Sequence, residues 1–144
     1  MAASTQGRRA LVTGISGQDG ALLASQLLRA GIAVVGTHRP APQTDFWRLR
    51  ELGIADHGAL ELRALDPLDA EACAAVVAAA APDAVFHLAG QSSVAASFVD
   101  PVGSIEANGI GTVRMLEAVR SQKPDAHFVL ASSAEIFEIG RAHV

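Results

Sequence analysis

Tyrosine is missing from the 144 residues of this sequence, which also holds only one cysteine and one tryptophan. The lone cysteine, Cys73, excludes a disulfide within the chain and fits a reducing compartment, so we expect a cytoplasmic protein. Charge is scarce as well, since 18% of the residues are charged and the net charge is −4. This balance provides no basic field for nucleic acid or an anionic membrane. No apolar run is long enough to span a bilayer, and no signal peptide is evident, so neither nucleic acid nor a membrane is an expected partner.

Apolar residues make up half of the sequence and fall into short runs separated by helical patterns. Strands that alternate with helices pair in parallel through right-handed crossovers. We therefore predict an α/β fold, a doubly wound parallel sheet of the Rossmann type with strand order 3-2-1-4-5. The predicted strands are residues 10–12, 32–37, 60–65, 84–89 and 126–131. The main helices are predicted over 20–30, over the alanine-rich segment 69–81, where Cys73 should be buried, and over 100–122.

Three glycines follow the first predicted strand with the spacing G-x-x-G-x-x-G, and a helical pattern continues from them. Gly14 allows a sharp turn off the strand, Gly17 allows backbone to approach a ligand, and Gly20 allows the helix to pack closely on the strand. The helix then presents unpaired N–H groups and the positive end of its dipole. We interpret the segment as a cradle for a pyrophosphate, with a structural turn in some other α/β domain as the alternative.

Polar residues and glycines follow the carboxyl ends of the predicted strands, where ligands bind in such sheets. Arg39 stands where NAD-binding sheets place a carboxylate, which favours NADP as the cofactor because a guanidinium can pair with its 2′-phosphate. The alternative for Arg39 is a solvated loop charge. Asp66 is a candidate acceptor for the adenine amino group, or a plain turn-former before proline. The segment Leu88, Ala89 and Gly90 is predicted to line the nicotinamide-side ribose, and His87 to be a packed strand residue.

Several segments together resemble the extended short-chain dehydrogenase/reductase family, and within it the GDP-mannose 4,6-dehydratases. They are the glycine motif 13–20 with its Gly-Gln-Asp-Gly, Arg39, Asp66, the Ala-Gly-Gln-Ser of segment 88–94, and the segments 108–114 and 131–135. The resemblance implies that Gln18, Asp19 and Ser92 join the cofactor site. It also implies that Ser133 supplies a catalytic hydroxyl and Glu135 a catalytic carboxylate.

The same resemblance implies a reaction and partners. The family oxidises C4 of the hexose of a nucleotide sugar, GDP-mannose in this branch, with NADP, eliminates water across C5–C6 and returns the hydride to C6. A carboxylate can serve the C5 proton step, because the C4 ketone acidifies that proton. Family members often form homo-oligomers through the helices after strands 4 and 5. Another nucleotide-sugar epimerase or reductase, or a non-catalytic nucleotide-binding module, are the alternatives.

The family's Tyr-x-x-x-Lys pair is not in this sequence, which has no tyrosine and a single lysine, Lys123. We therefore expect residues 1–137 to be the N-terminal part of an NAD(P)-binding Rossmann domain, truncated after strand 5, with the substrate domain absent. Residues 138–144 depart from the family pattern and can be encoded by a common sequencing-adapter sequence, so we interpret them as a non-native tail. We expect the 144 residues alone to be inactive. No residue is assigned to a metal.

Overall fold

Five parallel strands form one sheet in the structure, a computed structural model that describes residues 7–41 and 45–132. The strands are β1 (Arg9–Thr13), β2 (Ala33–His38), β3 (Leu60–Ala64), β4 (Ala84–His87) and β5 (His127–Leu130). Their order, β3-β2-β1-β4-β5, confirms the prediction. Thr13 at the end of the central strand is in register with Thr37 on β2 and His87 on β4. A row of buried polar side chains therefore crosses the carboxyl edge of the sheet.

Helices connect the strands as the alternating pattern predicts. They are α1 (Gln18–Arg29), α2 (Trp47–Glu51), α3 (Ala70–Ala80), α4 (Val94–Val99), α5 (Pro101–Ile105) and α6 (Gly111–Gln122). A π-helical turn, Glu106–Ile110, joins α5 to α6. The single helix predicted over 100–122 is thus an α-helix interrupted by a π-helical turn, and the short helix α4 before it was not predicted.

Two aspartates begin helices through their side chains, as their positions before apolar helical patterns indicate. The Asp69 carboxylate accepts a hydrogen bond from Ala72 N at 2.9 Å at the start of α3. The Asp100 carboxylate accepts from Gly103 N at 2.9 Å, with Pro101 in the first position of α5. Each carboxylate satisfies an N–H group that has no partner within its helix.

The two faces of the sheet bury separate apolar cores. Leu11 and Val85 pack with α3 and α6 on one face, where Cys73 is completely buried. Burial raises the pKa of the Cys73 thiol to about 11, with a further contribution from the nearby Asp69 carboxylate, as expected of a structural cysteine rather than a nucleophile. On the other face, Val12 and Ile15 pack with α1 and with Leu49 of α2.

The core face of α1 is not the leucine-rich one. Its buried residues are Gly20, Ala21, Ala24, Ser25 and Leu28, whereas Leu22 is 46% exposed. Small residues on this face let α1 lie close to the sheet, and the longer side chains are displaced to its flanks.

The helices after β4 carry apolar side chains on their outer surface. Phe98 and Val99 are 84% and 86% exposed, and Val102, Ile105 and Val113 are exposed as well. We call these five residues the outer apolar stripe. No helix in the described part of the chain combines the length and the apolar character needed to cross a membrane.

Candidate functional site: a dinucleotide cradle at the carboxyl edge of the sheet

The turn between β1 and α1 depends on two of its glycines. Gly14 has a φ of +74°, a left-handed conformation that side chains rarely adopt. A Cβ atom on Gly14 would also lie 3.0 Å from Ala89 N and from the Leu88 carbonyl, so the turn rests on the end of β4. A Cβ atom on Gly20 would lie 2.4 Å from Gly14 O and 2.8 Å from the Ile15 Cα. Gly20 therefore lets α1 approach the turn itself, rather than the strand as predicted.

The first turn of α1 is open to solvent and has unused hydrogen-bond donors. Gly17, Gln18 and Asp19 are exposed. Gly17 N donates to Gly14 O at 3.0 Å and Ala21 N donates to Gly17 O at 3.1 Å. Within residues 7–41 and 45–132, the intervening N–H groups of Gln18, Asp19 and Gly20 have no acceptor, and no side chain caps the helix. Converging N–H donors at a helix N-terminus fit the pyrophosphate of a dinucleotide.

The Thr13 hydroxyl joins this turn to the end of β4. It accepts hydrogen bonds from Leu88 N at 3.1 Å and Ala89 N at 3.0 Å, and lies 2.9 Å from the Nδ1 atom of His87. Two N–H donors occupy both lone pairs of the hydroxyl, so its own hydrogen is donated to Nδ1. The hydrogen of the neutral imidazole is therefore on Nε2.

His87 is 1% exposed, which confirms the prediction that it is a packed strand residue. Its ring lies against Phe128, with the centroids 5.9 Å apart. Burial lowers the pKa of His87, since the charged imidazolium would lose its hydration. Its buried Nε2 atom has no hydrogen-bond partner among the described residues.

The ends of β2 and β3 bring the predicted adenine-side residues to the same edge. Arg39 follows β2 directly and is exposed. The preceding His38 meets Phe46 edge-on, with ring centroids 4.9 Å apart. Asp66 follows β3 and is exposed, and one of its carboxylate oxygens accepts from Leu68 N at 2.9 Å. This bond stabilises the turn before α3, which is the alternative role predicted for Asp66. The other carboxylate oxygen makes no hydrogen bond among the described residues and is available to a ligand.

The segment after β4 is held by a side chain from the π-helical turn. Asn108 Oδ1 accepts from Gln91 N at 2.7 Å, and Asn108 Nδ2 donates to Gln91 O at 3.0 Å. Gln91 Nε2 donates to Ser104 Oγ at 3.0 Å. A Cβ atom on Gly90 would lie 2.7 Å from Asn108 Oδ1, so a larger residue at position 90 would push the Asn108 side chain out of this position.

Sequence reasoning did not assign a role to Thr13 or Asn108. Thr13 ends a buried strand and Asn108 lies in the middle of a helical pattern, and an apolar residue would be usual at both places. A polar residue there is the one feature of the sequence that could have indicated their roles. Their partners lie 75 and 17 residues away in the chain, so the contacts follow only from the fold.

The predicted cofactor-binding residues converge on one edge of the sheet. Gly14, Gly17, Gln18, Asp19 and Gly20 follow β1, Arg39 follows β2, Asp66 follows β3, and Leu88, Ala89, Gly90 and Ser92 follow β4. The predicted catalytic residues Ser133 and Glu135 lie outside the described residues, as does the predicted tail 138–144. In the described part of the chain, no group of three or more His, Cys, Asp or Glu side chains is placed to hold a metal ion.

A parallel sheet of order 3-2-1-4-5 with a glycine turn against the end of its fourth strand defines a Rossmann domain of the short-chain dehydrogenase/reductase type. Residues 11–141 match the sequence model of one family, GDP-mannose 4,6 dehydratase. The chain belongs to the GDP-mannose 4,6-dehydratase family.

Individual relatives agree with this assignment. A GDP-mannose 4,6-dehydratase from Vibrio cholerae is 33% identical over 135 residues, which are 90% of this chain and 36% of the relative. GDP-mannose 4,6 dehydratase 1 from Arabidopsis thaliana is 36% identical over 136 residues, covering 89% of this chain and 38% of the relative. The chain thus spans little more than a third of the length of these relatives.

Among solved structures, a UDP-glucose-4-epimerase from Stenotrophomonas maltophila superposes with a TM-score of 0.79 at 27% identity. The match covers 90% of this chain and 38% of the epimerase, which was crystallised with bound NAD and formylated UDP-arabinopyranose. The fold of this chain is therefore shared with the N-terminal part of a nucleotide-sugar epimerase as well as with the dehydratases.

Proposed function

We propose that the chain is the N-terminal, NADP-binding part of a sugar-nucleotide 4,6-dehydratase that converts GDP-mannose to GDP-4-keto-6-deoxymannose and water. The observation that carries this proposal is the match of residues 11–141 to the dehydratase family. The open glycine turn, with three N–H groups lacking acceptors among the described residues, supports a role in binding a dinucleotide.

Different residues at the carboxyl edge of the sheet bind different parts of the proposed cofactor. The first turn of α1 binds the pyrophosphate through backbone N–H groups and the helix dipole. Arg39 pairs with the 2′-phosphate, and the free oxygen of Asp66 accepts from the adenine amino group. Leu88, Ala89 and Gly90 line the nicotinamide-side ribose. Ser92, two residues further along the chain, belongs to the same cofactor site. When bound, NADP supplies the hydride chemistry at C4 and C6 of the sugar.

The proton steps are assigned to Ser133 and Glu135 by resemblance to the family. In the sequence, Ser133 comes three residues after the end of β5, the neighbour of β4 in the sheet. Ser133 orients the C4 hydroxyl, and Glu135 takes the C5 proton, which the C4 ketone makes acidic. In a full-length protein carrying this segment, Glu135→Gln should leave NADP binding intact and abolish the dehydrated keto-sugar. Unchanged product formation would show that Glu135 has no catalytic role.

Cofactor preference is tested at Arg39. One charge-assisted hydrogen bond contributes about 1.5–3 kcal/mol, so Arg39→Ala should weaken NADP binding about tenfold or more and leave NAD binding unchanged. Calorimetric titration of both cofactors with the full-length protein measures this difference. Equal losses for NADP and NAD would rule out the proposed role of Arg39.

The substrate and the reaction are tested together. Incubation of the full-length protein with GDP-mannose and NADP should yield a nucleotide sugar lighter by one water molecule, detected by mass spectrometry. The structural likeness to a UDP-glucose-4-epimerase favours a second candidate, epimerisation of a UDP-sugar. That activity would change the configuration of UDP-glucose without changing its mass, so the two reactions are distinguished by the same measurement and by NMR of the product.

A homo-oligomer is the proposed assembly of the full-length protein. Its support is the outer apolar stripe, since five exposed apolar side chains on α4, α5 and α6 are costly to leave in water. Light scattering of the full-length protein should give a mass above that of one chain. Val102→Glu, on the stripe, should lower that mass, whereas Leu22→Glu, an exposed leucine on α1, should not.

A further inference from the structure

Arg48 contacts the glycine turn although it lies 32 residues further along the chain. Its Nη1 atom donates to Ser16 O at 3.2 Å, and the side chain is half-buried. The short helix α2 that carries Arg48 is anchored by Leu49, which is fully buried in the core beneath it. Phe46, just before α2, packs edge-on against His38 at the end of β2. These contacts place α2 beside the turn that follows β1 and beside the end of β2.

The turn itself is fixed on the side of β2. Ile15 N donates to Thr37 O at 3.0 Å, and Ile15 packs where Gly36 leaves room, since a Cβ atom on Gly36 would lie 2.1 Å from Ile15 Cδ1. The Ser16 carbonyl thus belongs to the part of the turn nearest β2, the strand that ends in Arg39. Arg48 and Arg39 approach this edge from two different elements.

The surroundings of Arg48 leave its charge available to an anion. Arg50, on the same helix, pairs with Asp45 at 2.6 Å. None of the salt bridges among the described residues involves Arg48. Its guanidinium carbon lies 4.4 Å from the centroid of the Trp47 ring, and the ring and the Ser16 carbonyl together restrict the orientation of the guanidinium plane. A guanidinium has five N–H donors, and one hydrogen bond to a carbonyl leaves the others for a ligand.

From these contacts we infer that Arg48 is a second phosphate-binding residue of the cofactor site, which pairs with the phosphate on the adenine-side ribose together with Arg39. The inference rests on the proposed function, because it requires a cofactor that carries this 2′-phosphate. A planar guanidinium held at the rim of the glycine turn offers the paired donors that a phosphate accepts. The ligand class is a nucleotide with a 2′-phosphate, and Arg48 determines specificity for it.

The test compares variants of one helix by calorimetry in a full-length protein carrying this segment. The probes are NADP, NAD, 2′,5′-ADP and 5′-AMP. Arg48→Gln should weaken NADP and 2′,5′-ADP about tenfold, and change NAD and 5′-AMP by less than about twofold. Arg48→Lys, which keeps the charge but not the planar fork, should give an intermediate loss for the two 2′-phosphate probes. Arg50→Gln is the matched control and should bind all four probes as the parent protein does.

The outcomes separate this inference from the proposed function. Equal losses for NADP and NAD in Arg48→Gln, with an unchanged melting temperature, would mean that Arg48 only supports the turn and would overturn the inference. Unchanged NADP binding in Arg48→Gln, with a loss in Arg39→Ala, would overturn it as well and leave the proposed cofactor intact. A parent protein that binds NAD as tightly as NADP would overturn both. If Arg48→Gln fails to fold, the 2′-phosphate selectivity of Arg48→Lys decides the question.

Discussion

The hydroxyl of Thr13 makes hydrogen bonds to three groups. A substitution that keeps the shape of the side chain but removes the hydroxyl tests what these bonds contribute to the free energy of unfolding. In Thr13→Val, the N–H groups of Leu88 and Ala89 and the Nδ1 atom of His87 lose their partner. One buried polar group left unpaired costs about 1–3 kcal/mol. Because three groups lose their partner, we expect the free energy of unfolding to fall by at least about 3 kcal/mol. Urea unfolding measures the difference. Thr13→Ser retains the hydroxyl and should cost less than about 1 kcal/mol; equal losses in both variants would contradict this account.

His87 makes the stability of the fold depend on pH. Burial lowers its pKa in the folded chain, whereas in the unfolded chain the ring titrates near the ordinary value of about 6.5. As the pH falls below that value, the unfolded state binds a proton first, so this contribution to stability is complete above about pH 6.5 and is lost toward the lower folded-state pKa.

Replacement of the ring should flatten this dependence. In His87→Asn, the free energy of unfolding between about pH 7.5 and 5 should fall less steeply than in the parent, by up to about 1.4 kcal/mol per pH unit. Urea titrations across that range measure both slopes, and the exposed His57 provides a control as His57→Asn. Identical slopes in the parent and in His87→Asn would show that the ring titrates normally.

At the scale of elements, two glycines of the turn between β1 and α1 should respond differently to the same added methyl group. A Cβ atom on Gly20 would lie 2.4 Å from Gly14 O, so Gly20→Ala forces α1 away from the turn and should cost about 2 kcal/mol or more. Gly17 has an ordinary φ of −72°, and its Cβ atom would lie 3.2 Å from the same oxygen.

We expect Gly17→Ala to leave the free energy of unfolding within about 1 kcal/mol of the parent and to weaken NADP binding, because the methyl group stands on the exposed side of the proposed cradle. Thermal unfolding without cofactor, followed by calorimetric titration, measures both effects. A variant Gly17→Ala that binds NADP as the parent does would place the pyrophosphate elsewhere.

The sheet could be predicted from the sequence because each strand is a short apolar run with its own boundary residues. Gly31 precedes β2, Pro82 and Asp83 precede β4, and Pro124 precedes β5. Parallel strands joined by helices then leave few topologies, and the order 3-2-1-4-5 is among them. The aspartate caps at Asp69 and Asp100 were predictable for the same reason, since a cap contacts residues only three positions away.

The π-helical turn and the contacts of Arg48 could not be predicted in this way. Asn108 bonds to the backbone of Gln91, and this pair matters only after β4 and α6 have been brought together by the sheet. Arg48 meets Ser16 only because Leu49 anchors α2 in the core. Long-range bonds between a side chain and the backbone leave no period in the sequence, so the residues that shape this site are less predictable than the strands that carry it.

At the scale of the whole molecule, the proposed reaction needs a group that takes the C4 hydroxyl proton, and the resemblance to the family implies that the tyrosine of the Tyr-x-x-x-Lys pair has this role. The 144 residues contain no tyrosine. General acid–base assistance is worth about 10²–10⁴-fold in rate, so residues 1–144 expressed alone should form no detectable dehydrated product from GDP-mannose and NADP. Mass spectrometry of the reaction, with the full-length protein as the positive control, measures this. Turnover by the 144 residues at a rate near that of the full-length protein would contradict the assignment of the proton step.

The same 144 residues should also associate when they are expressed alone. The outer apolar stripe is exposed on α4, α5 and α6, and Val129 and Leu130 of β5 are each 46% exposed at the edge of the sheet. An apolar edge strand offers unpaired backbone groups to a second chain. We expect the mass measured by light scattering to rise with protein concentration. Val129→Lys should reduce this rise, because a charge on an edge strand opposes pairing, whereas Leu22→Lys on α1 should not. A monomer at every concentration would mean that these surfaces are too small or too divided to drive association.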